Sequence, residues 1–335
     1  MQTFADWVQF SVASAVVLLL LALVILVIVL IARRSRKLKT ENMTIEHLNK
    51  EWQRKSDELR AVVMPHKEFQ KLLKERSKEE KEQHKQKDLS ARKRIYVIDF
   101  EGDLAASQCS SLREQITLIL ALIRPDDKVI VRIESPGGMV HAYGLAASQI
   151  ARLTSRKIHV TACVDKVAAS GGYMMACVAN KIVAAPFAMI GSIGAVSGMP
   201  NFNRFLKKHE IDYIEQTAGE YKRTISPFGE ITEAGKAKNQ EKLDQIHALF
   251  KNHVAEHRPQ VDINSVSTGD FWPASVAHKM ALVDELRTSD DLLLELGKET
   301  DIYQLTSEEP QDFRTRLMKK FFASASKLAN EWSLL

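Results

Sequence analysis

Cysteine is scarce: Cys109, Cys163 and Cys177 are the three in 335 residues. Their spacing fits neither a metal-ligand set nor a disulfide framework. The 14 glycines form no G-x-G-x-x-G dinucleotide fingerprint, and no glycine corner leads into the Lys-Ser/Thr of a P-loop. No metal and no cofactor is therefore expected. Strong charge of one sign is also missing from most of the chain. The formal net charge is +5, and residues 33–93 alone hold about 19 Lys/Arg against about 11 Asp/Glu. The remainder is slightly acidic, which argues against nucleic acid as a partner. The N-terminus lacks the basic start of a signal peptide, and no Ala-x-Ala-like cleavage site follows its apolar run.

That run is Val12 to Ala32, about 21 residues interrupted only by Ser14. It is long enough to cross a bilayer as a retained helical anchor, 12–32, after a short 1–11 segment with Trp7 and Phe10 at one interface. Arg33, Arg34, Arg36, Lys37 and Lys39 follow it, and this bias places the rest of the chain in the cytoplasm. Residues 33–93 read as a charged helical stalk or linker. Ile45, Leu48, Trp52, Leu59, Val62 and Val63 mark one amphipathic helix, Pro65 breaks it, and Phe69, Leu72 and Leu73 begin a second. A coiled-coil stem would need sustained heptads, which are absent.

At Arg94 the texture changes. Strands are expected at 95–100, 128–133, 157–164 and 181–184, with helices at 112–123, 143–153 and 172–179 between and after them. This alternation predicts an α/β domain over 94–300 with a largely parallel sheet. The apolar stretch 183–199 contains Pro186, Gly191, Gly194 and Gly198, so it reads as buried loop or short core strands, not a second span. Further on, 202–209 reads as helix, 213–216 as strand, 232–257 as a long helix and 271–280 as helix, with Leu282-Val283-Asp284 returning to the sheet. The tail, 301–335, carries Phe313, Leu317, Phe321, Leu328 and Trp332 at helical spacing among basic residues. Such a helix lies on a membrane surface or docks on protein.

Two glycine corners stand out. Ser170-Gly171-Gly172 follows a strand and opens a helix, a position from which a hydroxyl can project as a nucleophile; alone, it reads more readily as a plain helix cap. Glu134-Ser135-Pro136-Gly137-Gly138 ends another strand, where open α/β folds bind ligands and where bare N–H groups suit an oxyanion hole. A nucleophilic serine needs a base. His141, His159 and His209 sit in segments not built to present them. Lys222, in Gly219-Glu220-Tyr221-Lys222-Arg223, is the alternative, because a buried lysine can be neutral.

Five motifs in order resemble the signal peptide peptidase A family of serine proteases: Ser135-Pro136-Gly137-Gly138, Ala169-Ser170-Gly171-Gly172-Tyr173, Gly191-Ser192-Ile193-Gly194, Tyr221-Lys222 with Ser226-Pro227, and Leu282-Val283-Asp284. They cover about 94–296, and the single anchor plus charged segment resembles the family's SohB-type members. Glu134 stands where the family often has Asn, and Ala281 where it has Gly. The resemblance implies a ClpP/crotonase-like fold and endopeptidase activity through a Ser–Lys dyad. It makes Ser170 the nucleophile, Lys222 the general base, and the N–H groups of Gly138 and Gly171, with Gly137 beside them, the oxyanion donors. It also implies peptide or protein substrates, a bacterial inner-membrane location, and a homo-oligomeric ring in which neighbouring protomers can share a dyad. By the same resemblance the catalytic domain lies outside the cytoplasm, against the charge bias. A catalytically silent membrane scaffold with this fold is the competing expectation. Acyl-CoA chemistry is a third, disfavoured by the joint presence of Ser170 and Lys222.

Overall fold

A computed structural model describes residues 42–86 and 92–308. The expected anchor at 12–32 and the apolar residues 313–332 of the tail lie outside the described residues. No described helix is long and apolar enough to cross a membrane. Residues 45–306 form one compact unit; a second, 1–44 with 307–335, is described only at 42–44 and 307–308.

The elements in order are β1 (Asn42–His47), α1 (Leu48–Val63), α2 (His66–Gln86), β2 (Arg94–Glu101), α3 (Cys109–Leu122), β3 (Lys128–Glu134), α4 (Val140–Thr154), β4 (His159–Val164), β5 (Val167–Ala169) and α5 (Gly171–Ala176). Then come β6 (Lys181–Ala184), β7 (Met189–Gly191), α6 (Asn203–Lys208), α7 (Glu233–His257), α8 (Ile263–Val266), β8 (Phe271–Pro273), α9 (Ala274–Ala277), β9 (Glu285–Leu286), α10 (Ser289–Leu296) and β10 (Asp301–Glu308). A seven-stranded sheet runs β1-β10-β2-β3-β4-β6-β9, and a small sheet runs β5-β7-β8. From β10 to β9 every neighbouring pair in the large sheet is parallel.

The sequence explains the layers. Ile95, Val97, Ile98, Val129, Ile130, Val131, Val160 and Ala162 are buried on both faces of their strands, as a covered parallel sheet requires. On α4, Tyr143, Ala146, Ala147, Ile150 and Leu153 are buried at the spacing of one helical face. Their counterparts on α3 are Leu112, Ile116 and Ile119. The result is a mixed α/β fold with a large parallel-rich sheet.

The charged segment is tied to this fold at its start. Leu48 is buried with Ile95, Val97, Leu292 and Ile302, and Trp52 packs against the same cluster. Asn49 Nδ2 donates to Gly297 O at 2.7 Å and Thr300 O at 3.0 Å, while its Oδ1 accepts from Ile302 N–H at 2.8 Å. One side chain thus satisfies three backbone groups of the α10–β10 turn, and β1 and β10 extend the sheet outside 94–300.

Two expected elements take other forms. Residues 213–216 have no regular structure, and Ile214 is 83% exposed; the stretch pairs with no strand. The helix expected at 271–280 is split. Phe271–Pro273 pairs antiparallel with β7, and Pro273, which lacks an N–H, ends that strand and leads into α9 and a 3-10 turn at 278–280. In 183–199, β6 and β7 are short core strands, whereas 196–199 lies exposed beyond them.

Candidate active site

The two glycine corners are zipped together by backbone. Ser135 N–H donates to Val167 O at 2.8 Å, and Ala169 N–H donates to Ser135 O at 3.0 Å. These bonds form a parallel bridge between the end of β3 and β5, the strand that leads to Ser170. On the other side β5 pairs with β7, and Ser170 N–H donates to Gly191 O at 2.8 Å. The serine is thereby held between two parallel neighbours, each from a motif singled out in the sequence.

Ser170 itself is strained. Its φ is 51° and its ψ −117°, outside the favoured regions for a residue with a side chain. Such a backbone costs about 1–3 kcal/mol and persists only where the surroundings over-determine it. Here the N–H is held by Gly191 O, and the C=O accepts from Met174 N–H in the first turn of α5. Ser170 makes no side-chain cap bond to that helix, so the hydroxyl is not serving as a cap.

Gly137 adopts φ +94°, and a Cβ placed on it would stand 2.7 Å from both Ser170 Cβ and Gly171 N. No residue with a side chain fits there, so the corner after β3 lies directly against the nucleophile's corner. The Gly137 N–H donates to Ser135 Oγ at 3.1 Å and is therefore engaged. Neither Gly138 nor Gly171 donates its N–H to any group among the described residues. Two unengaged donors thus flank a serine in a forced conformation. An oxyanion site needs donors of this kind.

The structure does not bring Lys222 to Ser170 within one chain. Lys222 lies in an irregular loop, residues 207–223 are exposed throughout, and no hydrogen bond or ion pair from the described residues holds its ammonium. The downstream Ser226-Pro227 is anchored: Phe202 N–H donates to Pro227 O at 2.7 Å, and Asn201 Nδ2 donates to Ser226 O and Gly229 O, both at 2.9 Å. Around this loop Val196, Phe202, Phe205, Ile211, Tyr213, Ile214, Tyr221 and Phe228 are exposed.

Two polar clefts sit beside the serine corner without containing Ser170. One, of about 430 Å³, lies at the C-terminal ends of β2, β3 and β4, among Asp99, Arg132, Glu134, Asp165 and Lys166. Arg132 pairs with Asp99 and Lys166 with Glu134 at 2.8 Å, while Asp165 accepts from the Ser289 N–H and hydroxyl. Glu134, the departure noted in the first motif, is thus partly neutralised by Lys166. The other cleft is lined by Glu101, Gly102, Asp103, Glu134, Pro136 and Val167. Among the described residues no group of His, Cys, Asp or Glu could hold a metal ion.

Sequence reasoning passed over Tyr143 and the side chain of Ser135. Both are fully buried, and their hydroxyls lie 2.6 Å apart behind the glycine corners. A tyrosine in the first turn of the helix that follows a Gly-Gly corner was the available signal.

Comparison with known proteins identifies the family. Residues 2–150 match the model described as peptidase family S49 N-terminal, and residues 152–303 match peptidase family S49. A Haemophilus influenzae protein named "Probable protease SohB" is 51% identical over 235 residues, 70% of this chain and 65% of that protein. A protein of the same name from Buchnera aphidicola is 45% identical over 240 residues, 72% of this chain and 70% of that protein. The matched stretch therefore spans about two thirds of these relatives' own length. The border between the two models falls at the end of α4, so the two interlocked corners come one from each. Matched across both halves, the chain belongs to peptidase family S49.

Proposed function

We propose that this chain is a membrane-anchored serine endopeptidase of ClpP/crotonase-like fold that cleaves unfolded or membrane-derived peptides with Ser170 and Lys222. The observation that carries this reading is the strained Ser170 between the unengaged N–H groups of Gly138 and Gly171. Neutral Lys222 takes the Ser170 proton as Oγ attacks the peptide carbonyl. The carbonyl oxygen gains negative charge and is held by the two N–H donors. Lys222 then gives its proton to the leaving amine, and water, deprotonated in the same way, releases the acyl group and restores the serine.

A lysine base must be neutral, and burial is what makes it so. Lys222 is exposed in a lone chain, so the burial has to come from elsewhere. The exposed apolar residues around its loop support a homo-oligomer in which a neighbouring copy covers the loop and completes the dyad. Ser170→Ala and Lys222→Ala should each abolish turnover of an unfolded peptide while leaving the fold intact. Equal mixing of the two dead variants during assembly should restore part of the activity if a dyad is shared between copies. Normal turnover by Ser170→Ala would refute the assignment.

The exposure of Lys222 also favours one rival, a scaffold that keeps the fold without the chemistry. The two part on the same assay, because a scaffold turns over no peptide in any assembly state. The bilayer anchor at 12–32 and the membrane side of the catalytic unit are tested by a reporter fused after Leu335, active only on one side.

A further inference from the structure

We infer that Tyr143 is a positioning residue that holds the two oxyanion corners at a fixed spacing; this rests on the serine-peptidase reading above. Tyr143 is fully buried in the first turn of α4 and contacts both corners by different atoms. Its ring lies against the Gly171 corner: a Cβ added to Gly171 would stand 2.3 Å from Tyr143 Cγ and 2.7 Å from both Cδ atoms. Its hydroxyl reaches the other corner through Ser135.

The direction of each bond in that chain follows from counting protons. Tyr143 Oη is 2.7 Å from Asp103 O, a carbonyl that only accepts, so the tyrosine proton is spent there. The Ser135 proton must then go to Tyr143 Oη, 2.6 Å away. Ser135 Oγ is left to accept from the Gly137 N–H at 3.1 Å. Every donor and acceptor in this buried chain is used, which makes it stiff and costly to break. Its far end fixes Gly137, the residue packed on Ser170 and followed by Gly138. Burial also raises the Tyr143 phenol above its ordinary range, so the chain keeps its protons at any working pH.

Nothing in the dyad chemistry uses Tyr143. Its place instead links the Gly138 and Gly171 corners, which come from different elements, so that a fixed spacing between them can serve one oxygen. Small misplacement of such donors is expensive, since they act only where the oxyanion forms.

The test uses the full-length protein in its assembled form and compares a peptide substrate with the matching peptide aldehyde. The aldehyde forms a hemiacetal whose oxygen occupies the oxyanion site; the substrate in its ground state does not. Tyr143→Phe keeps the ring on Gly171 and removes only the hydroxyl. The expected result is a fall in kcat of about 10–100-fold with KM within about twofold, and a rise in aldehyde Ki of about tenfold or more. A purely structural role would lower the melting temperature and the active fraction but leave the aldehyde Ki untouched. Ser135→Ala, which breaks the same chain from the other side, should give the same split, and the double variant should cost no more than the worse single one. An aldehyde Ki at the wild-type value in both variants overturns the inference while the peptidase reading stands. Turnover that survives Ser170→Ala overturns both.

Discussion

Gly171→Ala is the substitution whose outcome the packing determines most closely. The added methyl would meet the Tyr143 ring at 2.3 Å, where carbon atoms normally rest about 3.5–4.0 Å apart. Something must move by more than 1 Å, and the ring is poorly placed to do so. It is fully buried, and its hydroxyl is pinned by Ser135 and Asp103. Overpacking of this kind costs about 1–3 kcal/mol. For a unit of this size that lowers the melting temperature by roughly 2–4 °C per kcal/mol. The chemical cost is of similar size and falls on turnover, because the methyl sits on the residue whose N–H is to hold the oxyanion. A misplacement of about 1 Å can take on the order of 100-fold from the rate. Gly144→Ala is the matched control: the same methyl, one residue after Tyr143, meets nothing within 4 Å. In the interior of α4 it should stabilise by about 0.5–1 kcal/mol and leave turnover unchanged. Calorimetry and steady-state kinetics on both variants read the two effects separately. If Gly171→Ala matches wild type in melting temperature and kcat, the close approach of ring and backbone is not present and the account of the site fails with it.

Other expectations follow from the same structure. Asp284 accepts from Ile182 N–H and from the buried Arg258, tying the chain before β9 to β6 and α7. Burial alone would raise its carboxyl, but the Arg258 and Ile182 hydrogen bonds outweigh it and hold the group below the usual range. A depressed carboxyl stabilises the fold above its unfolded value, about pH 4, and that contribution is lost as pH falls through its folded value. Asp284→Ala should therefore cost about 3–5 kcal/mol at pH 7, because Arg258 is left buried without its partner. The gap to wild type should narrow below about pH 4; a gap independent of pH in denaturant titrations would count against the ion pair. Asn49→Ala removes three backbone partners at once and should cost about 1–3 kcal/mol, with α1 cut faster in limited proteolysis. Unchanged cleavage within 48–63 would show that α1 is held by Leu48 and Trp52 alone.

The central strands and the helices between them were legible because their apolar periods are strong. Ile95–Phe100, Val129–Ile133 and Val160–Val164 read as buried parallel strands and are so. The outer strands were not. Asn42–His47 and Asp301–Glu308 carry polar residues in most positions, and nothing local distinguishes them from linker; β10 is a strand because β2 offers it a parallel edge. Phe271–Met280 was misjudged for a related reason. Its apolar content fits a helix, but Pro273 and the free edge of β7 divide it. At the site, the residue types announced the two corners, whereas the fit between them did not show. That Gly137 lies on Ser170, that its N–H is already engaged, and that Tyr143 spans both corners depend on contacts between residues up to 40 positions apart. Lys222 shows the reverse: its motif was plain, and its surroundings in one chain are solvent.

The most direct test of the central claim is labelling of the purified, assembled protein with a serine-directed phosphonate, followed by mapping of the modified peptide. The account predicts a single stoichiometric adduct on Ser170, lost in Ser170→Ala and strongly slowed in Lys222→Ala. An unmodified Ser170 in wild-type protein, or labelling at the same rate without Lys222, would contradict it.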